Sequence, residues 1–238
     1  MTKRGNIAII PAKGVSKRIK NKNLFDILGK PLLAYTIETC KRWGRFEEIY
    51  VNSEDPAIIQ CAQDYGSQVY HRPVSLVVDS SKIIDVVKEQ ISTMGLGERS
   101  IVAILPPTCP LRTHEDLEEA YGLFLENDYR SPIVSVTRYE KPPEQALLVD
   151  HRGRLVPKYP ERYTSNSQDF QDAYRYNTGI IFTTVGVLMK QNDIVGENAI
   201  PYIMPFKKSI DIDYPYHVEL VKLIMKLDKE GRSQNAII

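Results

Sequence analysis

The chain of 238 residues is short enough for one α/β core, so length alone excludes a long multidomain machine. Hydrophobic residues at 42% and charged residues at 26% are ordinary globular usage, and 15 prolines with 13 glycines are too few for a fibrous or disordered chain. Lys and Arg total 31 against 30 Asp and Glu, a formal +1, so no global field attracts nucleic acid or an anionic membrane, and charge matters only by position.

The apolar run 7–10, cut by Pro11, is too short for a secretion-signal core, and no run approaches the ~18 apolar residues of a membrane span. Three well-separated cysteines, Cys40, Cys61 and Cys109, form no CxxC pair and are expected as free thiols in a reducing compartment. A soluble cytoplasmic chain without membrane or nucleic-acid partners is the expectation.

Residues 6–10 form a continuous β-branched run, which predicts a strand buried on both faces at the centre of a parallel sheet. A basic loop follows, then a helix over 31–40 with Pro31 at its first position and Leu33, Ile37 and Cys40 on one face. The unit repeats: a strand at 48–52, an Asp55 cap before Pro56, and a helix over 57–65 closed by Gly66. Further on, 83–94 has helical periodicity, 101–105 is a second buried strand, Thr113 and Asp116 form a capping box for a helix through Leu125, and 133–137 is a strand.

Strands alternating with helices predict an α/β fold with a mostly parallel central sheet and ligands beyond the carboxyl ends of its strands. The loops after Ile10, Asn52 and Leu105 are therefore where chemistry is expected. Between 139 and 176 four prolines and the turn Asp150-His-Arg-Gly153 break the alternation, which predicts an inserted arm on a single domain spanning 1–238. Regular structure resumes at 179–183, and Val218, Val221 and Met225 mark a C-terminal helix.

Two constellations carry chemistry. The loop after the first strand holds Lys13, Lys17, Arg18, Lys20 and Lys22 with no acidic residue before Asp26. Gly14 permits close backbone approach and Ser16 donates a hydrogen bond, so the loop is a candidate phosphate cradle, although it is neither a Walker A loop nor a GxGxxG turn. In Ser209-Ile-Asp-Ile-Asp213 a strand-like alternation points Asp211 and Asp213 to one side, a hard oxygen pair suited to Mg²⁺ shared with substrate phosphates. The histidines lack ligand spacing, no nucleophile elbow is present, and Cys109 has no histidine nearby in sequence to activate it.

These residues, with Ile10-Pro-Ala-Lys-Gly-Val-Ser-Lys17, Lys22-Asn23, Gly29-Lys-Pro-Leu-Leu-Ala-Tyr-Thr-Ile37, Arg72-Pro73, Pro107-Thr-Cys-Pro-Leu-Arg112 and Tyr202-Ile-Met-Pro205, resemble the acylneuraminate cytidylyltransferase family along nearly the whole chain. The resemblance implies a Rossmann-like nucleotidyltransferase domain with a projecting arm, usually dimeric. It implies transfer of CMP from CTP to the anomeric hydroxyl of a 2-keto-3-deoxy sugar acid, with loss of pyrophosphate. Ala12, Lys13, Gly14, Ser16, Lys17, Lys22 and Asn23 would then hold the nucleotide, Arg72 would help define the base pocket, Lys22 would act in catalysis, and Asp211 and Asp213 would bind Mg²⁺.

Pro106, Arg175, Asn177 and Ile181 fall at positions that would face the sugar acid. Where the family typically has a glutamine before Pro107 and an NGxIY pattern, this chain has Pro106 and Asn177-Thr-Gly-Ile-Ile181. Lys13 and Val15 also replace residues of its usual PARGGSK loop, and Ile83 stands where a serine or threonine is common. The loss of side-chain hydrogen bonding at Pro106 and Ile181 predicts a sugar other than N-acetylneuraminate. A non-catalytic sugar-nucleotide or protein-binding module on the same fold is the alternative, disfavoured by retention of a carboxylate pair opposite a phosphate cradle.

Overall fold

The computed structural model describes residues 5–78, 81–166 and 170–231. In chain order the elements are β1 (Asn6–Pro11), β2 (Asp26–Ile27), β3 (Lys30–Pro31), α1 (Leu32–Trp43), β4 (Glu48–Ser53), α2 (Pro56–Asp64), β5 (Gln68–His71), α3 (Ile83–Met94) and β6 (Ile101–Ile104). There follow α4 (His114–Glu126), β7 (Ile133–Arg138), β8 (Leu147–Val149), β9 (Leu155–Pro157), α5 (Pro160–Tyr163), β10 (Tyr174–Thr184), α6 (Val185–Lys190), β11 (Ile200–Ile203) and α7 (Pro215–Lys229).

Seven strands make the central sheet in the order β11-β7-β10-β6-β1-β4-β5. β1 sits inside it, parallel to β4 and β6, as its uniform apolar run requires. Its side chains divide by parity: Ala8 and Ile10 enter one core with Leu33, Ile37 and Phe124, whereas Ile7 and Ile9 enter the other with Ile84, Val87 and Ile91. Helices α1, α2 and α4 thus cover one face and α3 and α6 the other, giving three layers.

Local chemistry sets the ends of the helices. Asp55 accepts from the amides of Ala57 and Ile58 at 2.8 and 3.1 Å, and Asp116 accepts from the Thr113 amide and hydroxyl at 2.7 and 2.9 Å. Pro31 precedes α1 instead of opening it, and the helix runs on to Trp43, which packs edge-on against Phe46 and Tyr121.

The sheet departs from expectation at β10. This strand is eleven residues long, takes in the last three residues assigned to the arm, and runs antiparallel to both β6 and β7. Its register shifts between Tyr176 and Ile181, so a bulge lies where the strand passes the carboxyl ends of its neighbours. The short edge strands β5 and β11 were not anticipated either. Within the arm, β8 and β9 pair only with each other, as a separate antiparallel ribbon around the 150–153 turn.

Candidate active site

A cavity of about 530 Å³ opens at the carboxyl ends of β1 and β6. One wall is the basic loop, from which Lys13, Ser16, Lys17, Arg18, Lys22 and Asn23 face it. The loop is pinned at both ends. The Ala12 amide donates to the Asn52 carbonyl at 3.0 Å, and buried Asn23 donates from Nδ2 to the Lys13 carbonyl at 2.8 Å. Ala12 is fully buried and contributes placement rather than a ligand contact.

Gly14 corrects the expectation made for it. Its amide donates to Glu54 Oε1 at 2.8 Å, and a Cβ there would lie 2.6 Å from Asp55 Oδ2. Glycine is required for close packing of the loop on the start of α2, not for approach to a phosphate.

The opposite wall carries Asp211 and Asp213. The segment is not a strand, as the alternation suggested, but an extended connection between β11 and α7. Alternation survives because Ile210 and Ile212 are buried in a third cluster with Val218 and Val221, which leaves the carboxylates on the cavity side. The segment is tethered by the Ile212 amide donating to the Thr108 carbonyl at 2.8 Å and by Asn177 Nδ2 donating to Ser209 Oγ at 2.8 Å.

The carboxylates have different environments. Asp213 accepts from Lys22 Nζ at 3.1 Å and pairs with Arg18 at 2.6 Å; burial pushes its pKa up, but these two cations outweigh it and hold it below the ordinary value. Asp211 is deeper. Burial, with the neighbouring Asp213 charge, raises its pKa against the hydrogen bonds of Thr108 and Thr178, and its Oδ1 is buried without a hydrogen-bond partner.

Among the described residues no three His, Cys, Asp or Glu side chains gather as a metal cluster. The protein therefore offers two carboxylates, one with an oxygen left over. That donor set fits a hard divalent cation that takes its remaining oxygens from water and phosphate.

Arg72, just beyond β5, is buried and lines the cavity. Its Nε donates to Asn52 Oδ1 at 2.7 Å and Nη2 to the Asn52 carbonyl at 3.0 Å, with Glu54 at 3.9 Å. Burial lowers its pKa while Glu54 raises it. Pro106 also lines the cavity.

The other sugar-side candidates do not gather there. Asn177 and Ile181 are 1% exposed: the Asn177 carboxamide is spent on Ser135, Ser209 and the Gly179 amide, and Ile181 packs in the core beside α3. Arg175 lies outside the cavity lining, in register with Thr137 on β7. Cys109 is fully buried, its thiol donating to the Lys208 carbonyl at 3.2 Å and burial pushing its pKa up to about 12, so it is no nucleophile.

Sequence reasoning missed Glu54, Thr108 and Thr178 and did not single out Arg18 from its basic run. Arg18 spans to Asp213 and lies over the Tyr214 ring at 5.3 Å. Each becomes visible only through contacts distant in sequence.

A parallel sheet with a basic loop after β1 facing two carboxylates across a cavity defines a nucleotidyltransferase-fold protein. The same fold occurs in the structure of CMP:2-keto-3-deoxy-manno-octonic acid synthetase complexed with CTP, which aligns over 95% of this chain and 100% of that one with a TM-score of 0.68 at 19% identity. It also occurs in 4-diphosphocytidyl-2C-methyl-D-erythritol synthase from Anaerococcus prevotii, over 94% and 99% of the two chains, with a TM-score of 0.62 at 13% identity.

The chain belongs to the cytidylyltransferase family, whose model matches residues 7–168. It is 30% identical to the pseudaminic acid cytidylyltransferase of Campylobacter jejuni, covering 95% of this chain and 98% of that protein. It is 29% identical to the CMP-N,N'-diacetyllegionaminic acid synthase of Legionella pneumophila, over 94% and 98%. It is 30% identical to the N-acylneuraminate cytidylyltransferase of Escherichia coli, over 92% of this chain and 52% of that protein. Among the described residues no helix is long and apolar enough to cross a membrane.

Proposed function

We propose that this protein is a CMP-nonulosonate synthetase: the anomeric hydroxyl of a 2-keto-3-deoxy sugar acid attacks the α-phosphorus of CTP, an O–P bond forms, the bond to the bridging oxygen breaks, and pyrophosphate leaves. The observation that carries the reading is the cationic loop facing Asp211 and Asp213 across one cavity at the carboxyl end of the sheet. Lys13, Lys17 and Lys22 would neutralise the triphosphate, and Lys22, fixed by the Ile212 carbonyl at 3.0 Å, is placed to meet the charge that grows on the departing group. Arg72, locked on Asn52 at the cavity wall, would border the base.

Asp211 and Asp213 would hold Mg²⁺, whose chemistry here is to screen phosphate charge and lower the pKa of the attacking hydroxyl. The protein's own share is alignment. It holds two reactants in register and excludes water, with no covalent intermediate.

The sugar is read as a nonulosonate other than N-acetylneuraminate, of the pseudaminic or legionaminic kind. Pro106, which offers no side-chain hydrogen bond on the cavity wall, and full-length similarity to proteins named for those acids support this. Ile181, in the core, no longer bears on it.

We also propose a homodimer. The β8–β9 ribbon exposes Leu148, Val149 and Leu155, and a two-stranded ribbon is marginal without cover.

The test is pyrophosphate release over the four NTPs and a panel of 2-keto-3-deoxy sugar acids. CTP with pseudaminic or legionaminic acid is expected to be turned over fastest. Asp211→Asn and Asp213→Asn should each cost roughly a hundredfold in rate with the fold retained. Near-wild-type rates in both variants at low Mg²⁺ would overturn the metal assignment, and a kcat/KM preference for N-acetylneuraminate would overturn the sugar reading.

A further inference from the structure

Thr178 occupies an unusual place in this chain. It sits in the β10 bulge, lines the cavity, and has a φ of 56°, in the left-handed region. That region is tolerated by glycine and, less well, by asparagine and aspartate; for a β-branched side chain it is strained. The other positive-φ positions without glycine among the described residues are Asn21, Leu28, Asp128, Tyr129 and Asn198, none of them β-branched. Glycine at 178 would relieve the strain at the loss of one hydroxyl.

That hydroxyl has a specific place. Thr178 Oγ1 lies 2.7 Å from the carbonyl of Asn177 and 3.5 Å from Thr108 Oγ1, and both threonine hydroxyls hydrogen-bond the Asp211 carboxylate. Asp211 Oδ1 is nevertheless buried and unpartnered. Two donors that engage a carboxylate without satisfying both oxygens fix its rotation and leave one oxygen for something else.

Strain of this sort persists where the surrounding fold over-determines it. Here the surroundings do so. Asn177 is anchored by Ser135 at 2.6 Å and Ser209 at 2.8 Å, and a Cβ on Gly179 would lie 2.8 Å from Ser135 Oγ and from Met204 Sδ, so the bulge has no slack on either side of Thr178.

We propose that Thr178 is a positioning residue for Asp211: its strained backbone delivers a hydroxyl that, with Thr108, turns the carboxylate so that Oδ1 faces the cation. The inference rests on the cytidylyltransferase reading of the site and adds to it the residue that orients the deeper ligand.

The experiment compares wild type with T178G, T178V and T178S, each as the full chain. Thermal unfolding is followed without ligand, with CTP, and with CTP plus Mg²⁺, and the rate is titrated with Mg²⁺. T178G is expected to unfold no lower than wild type, since relieved strain offsets glycine's extra freedom in the unfolded chain. In T178G and T178V the extra stabilisation that Mg²⁺ adds to that of CTP should fall by at least half, and half-saturating Mg²⁺ should rise about tenfold. T178S should restore both.

T178V keeps the β-branch, so it tests the hydroxyl even where T178G is poorly folded. A wild-type Mg²⁺ increment in T178V overturns the inference, as does a T178G protein that unfolds well below wild type with its increment intact. D211N separates this failure from that of the site reading. If D211N loses the increment while the Thr178 variants keep it, only the positioning role is wrong. If D211N also keeps it, the metal reading fails and this inference with it.

Discussion

Lys22 bonds in two directions, to the Ile212 carbonyl and to Asp213, so it braces the wall opposite its own loop as well as carrying charge. Its side chain is 18% exposed, and the charge it balances in the proposed reaction grows as the leaving group departs. Lys22→Met should therefore lower kcat by roughly tenfold or more while the KM for CTP changes less. A raised KM with unchanged kcat would place Lys22 in ground-state binding alone. Asp213 gives a prediction in pH. Its folded pKa lies below the ordinary carboxylate value, so its ion pairs contribute stability that is complete above that value and lost as pH falls through the lower folded one. The Tm advantage of wild type over Asp213→Asn should accordingly shrink between about pH 6 and about pH 3. A gap that stays constant with pH would show that Lys22 and Arg18 do not stabilise the charged form.

Among the elements, α4 and the stretch leading to the site share one buried carboxylate. Asp116, 2% exposed, caps its own helix through Thr113, pairs with Lys208 at 2.9 Å, and accepts from the Tyr202 hydroxyl at 2.9 Å. Asp116→Ala would uncap α4 and strand an ammonium and a hydroxyl, a loss of about 3–5 kcal/mol and a Tm drop on the order of 10 °C. Asp116→Asn, which keeps acceptor oxygens, should lose less; equal Tm values for the two would show that neither charge nor capping at 116 matters. The cap itself was legible, since Thr113 and Asp116 stand three apart before an apolar run. So were β1, β4, β6, β7 and α1 to α4, because continuous β-branched runs and helical spacing are local signals. β5 and β11 were not, because Gln68 and His71 interrupt one and Pro201 the other, and edge strands carry weak patterning. The direction of β10 is set by its partners, which no local spacing reports. Within the site the same division holds. Lys22 and the aspartates were visible as charge in a pattern, whereas Glu54, Thr108 and Thr178 act through bonds spanning tens of residues in sequence.

For the whole molecule, the resident question is what the arm does, since its ribbon is joined to no strand of the central sheet. Leu148 and Val149 on β8 and Leu155 on β9 are 51%, 69% and 68% exposed, which concentrates apolar surface on a piece of structure with little core of its own. Scattered apolar residues need no explanation, but a cluster on a two-stranded ribbon marks an interface. A second copy of the chain is the occupant that requires no other component, and a two-fold arrangement would let each ribbon pack on its counterpart's body or ribbon. The chain should therefore scatter light as a dimer at micromolar concentration. Val149→Asp with Leu155→Asp should yield monomers, because two charges placed in an apolar interface cost more than a weak dimer gains. Neither residue lines the cavity, so the folded core and CTP-induced stabilisation should survive in the monomer. A wild type that scatters as a monomer, or a double variant that remains a dimer, would remove the arm from the assembly.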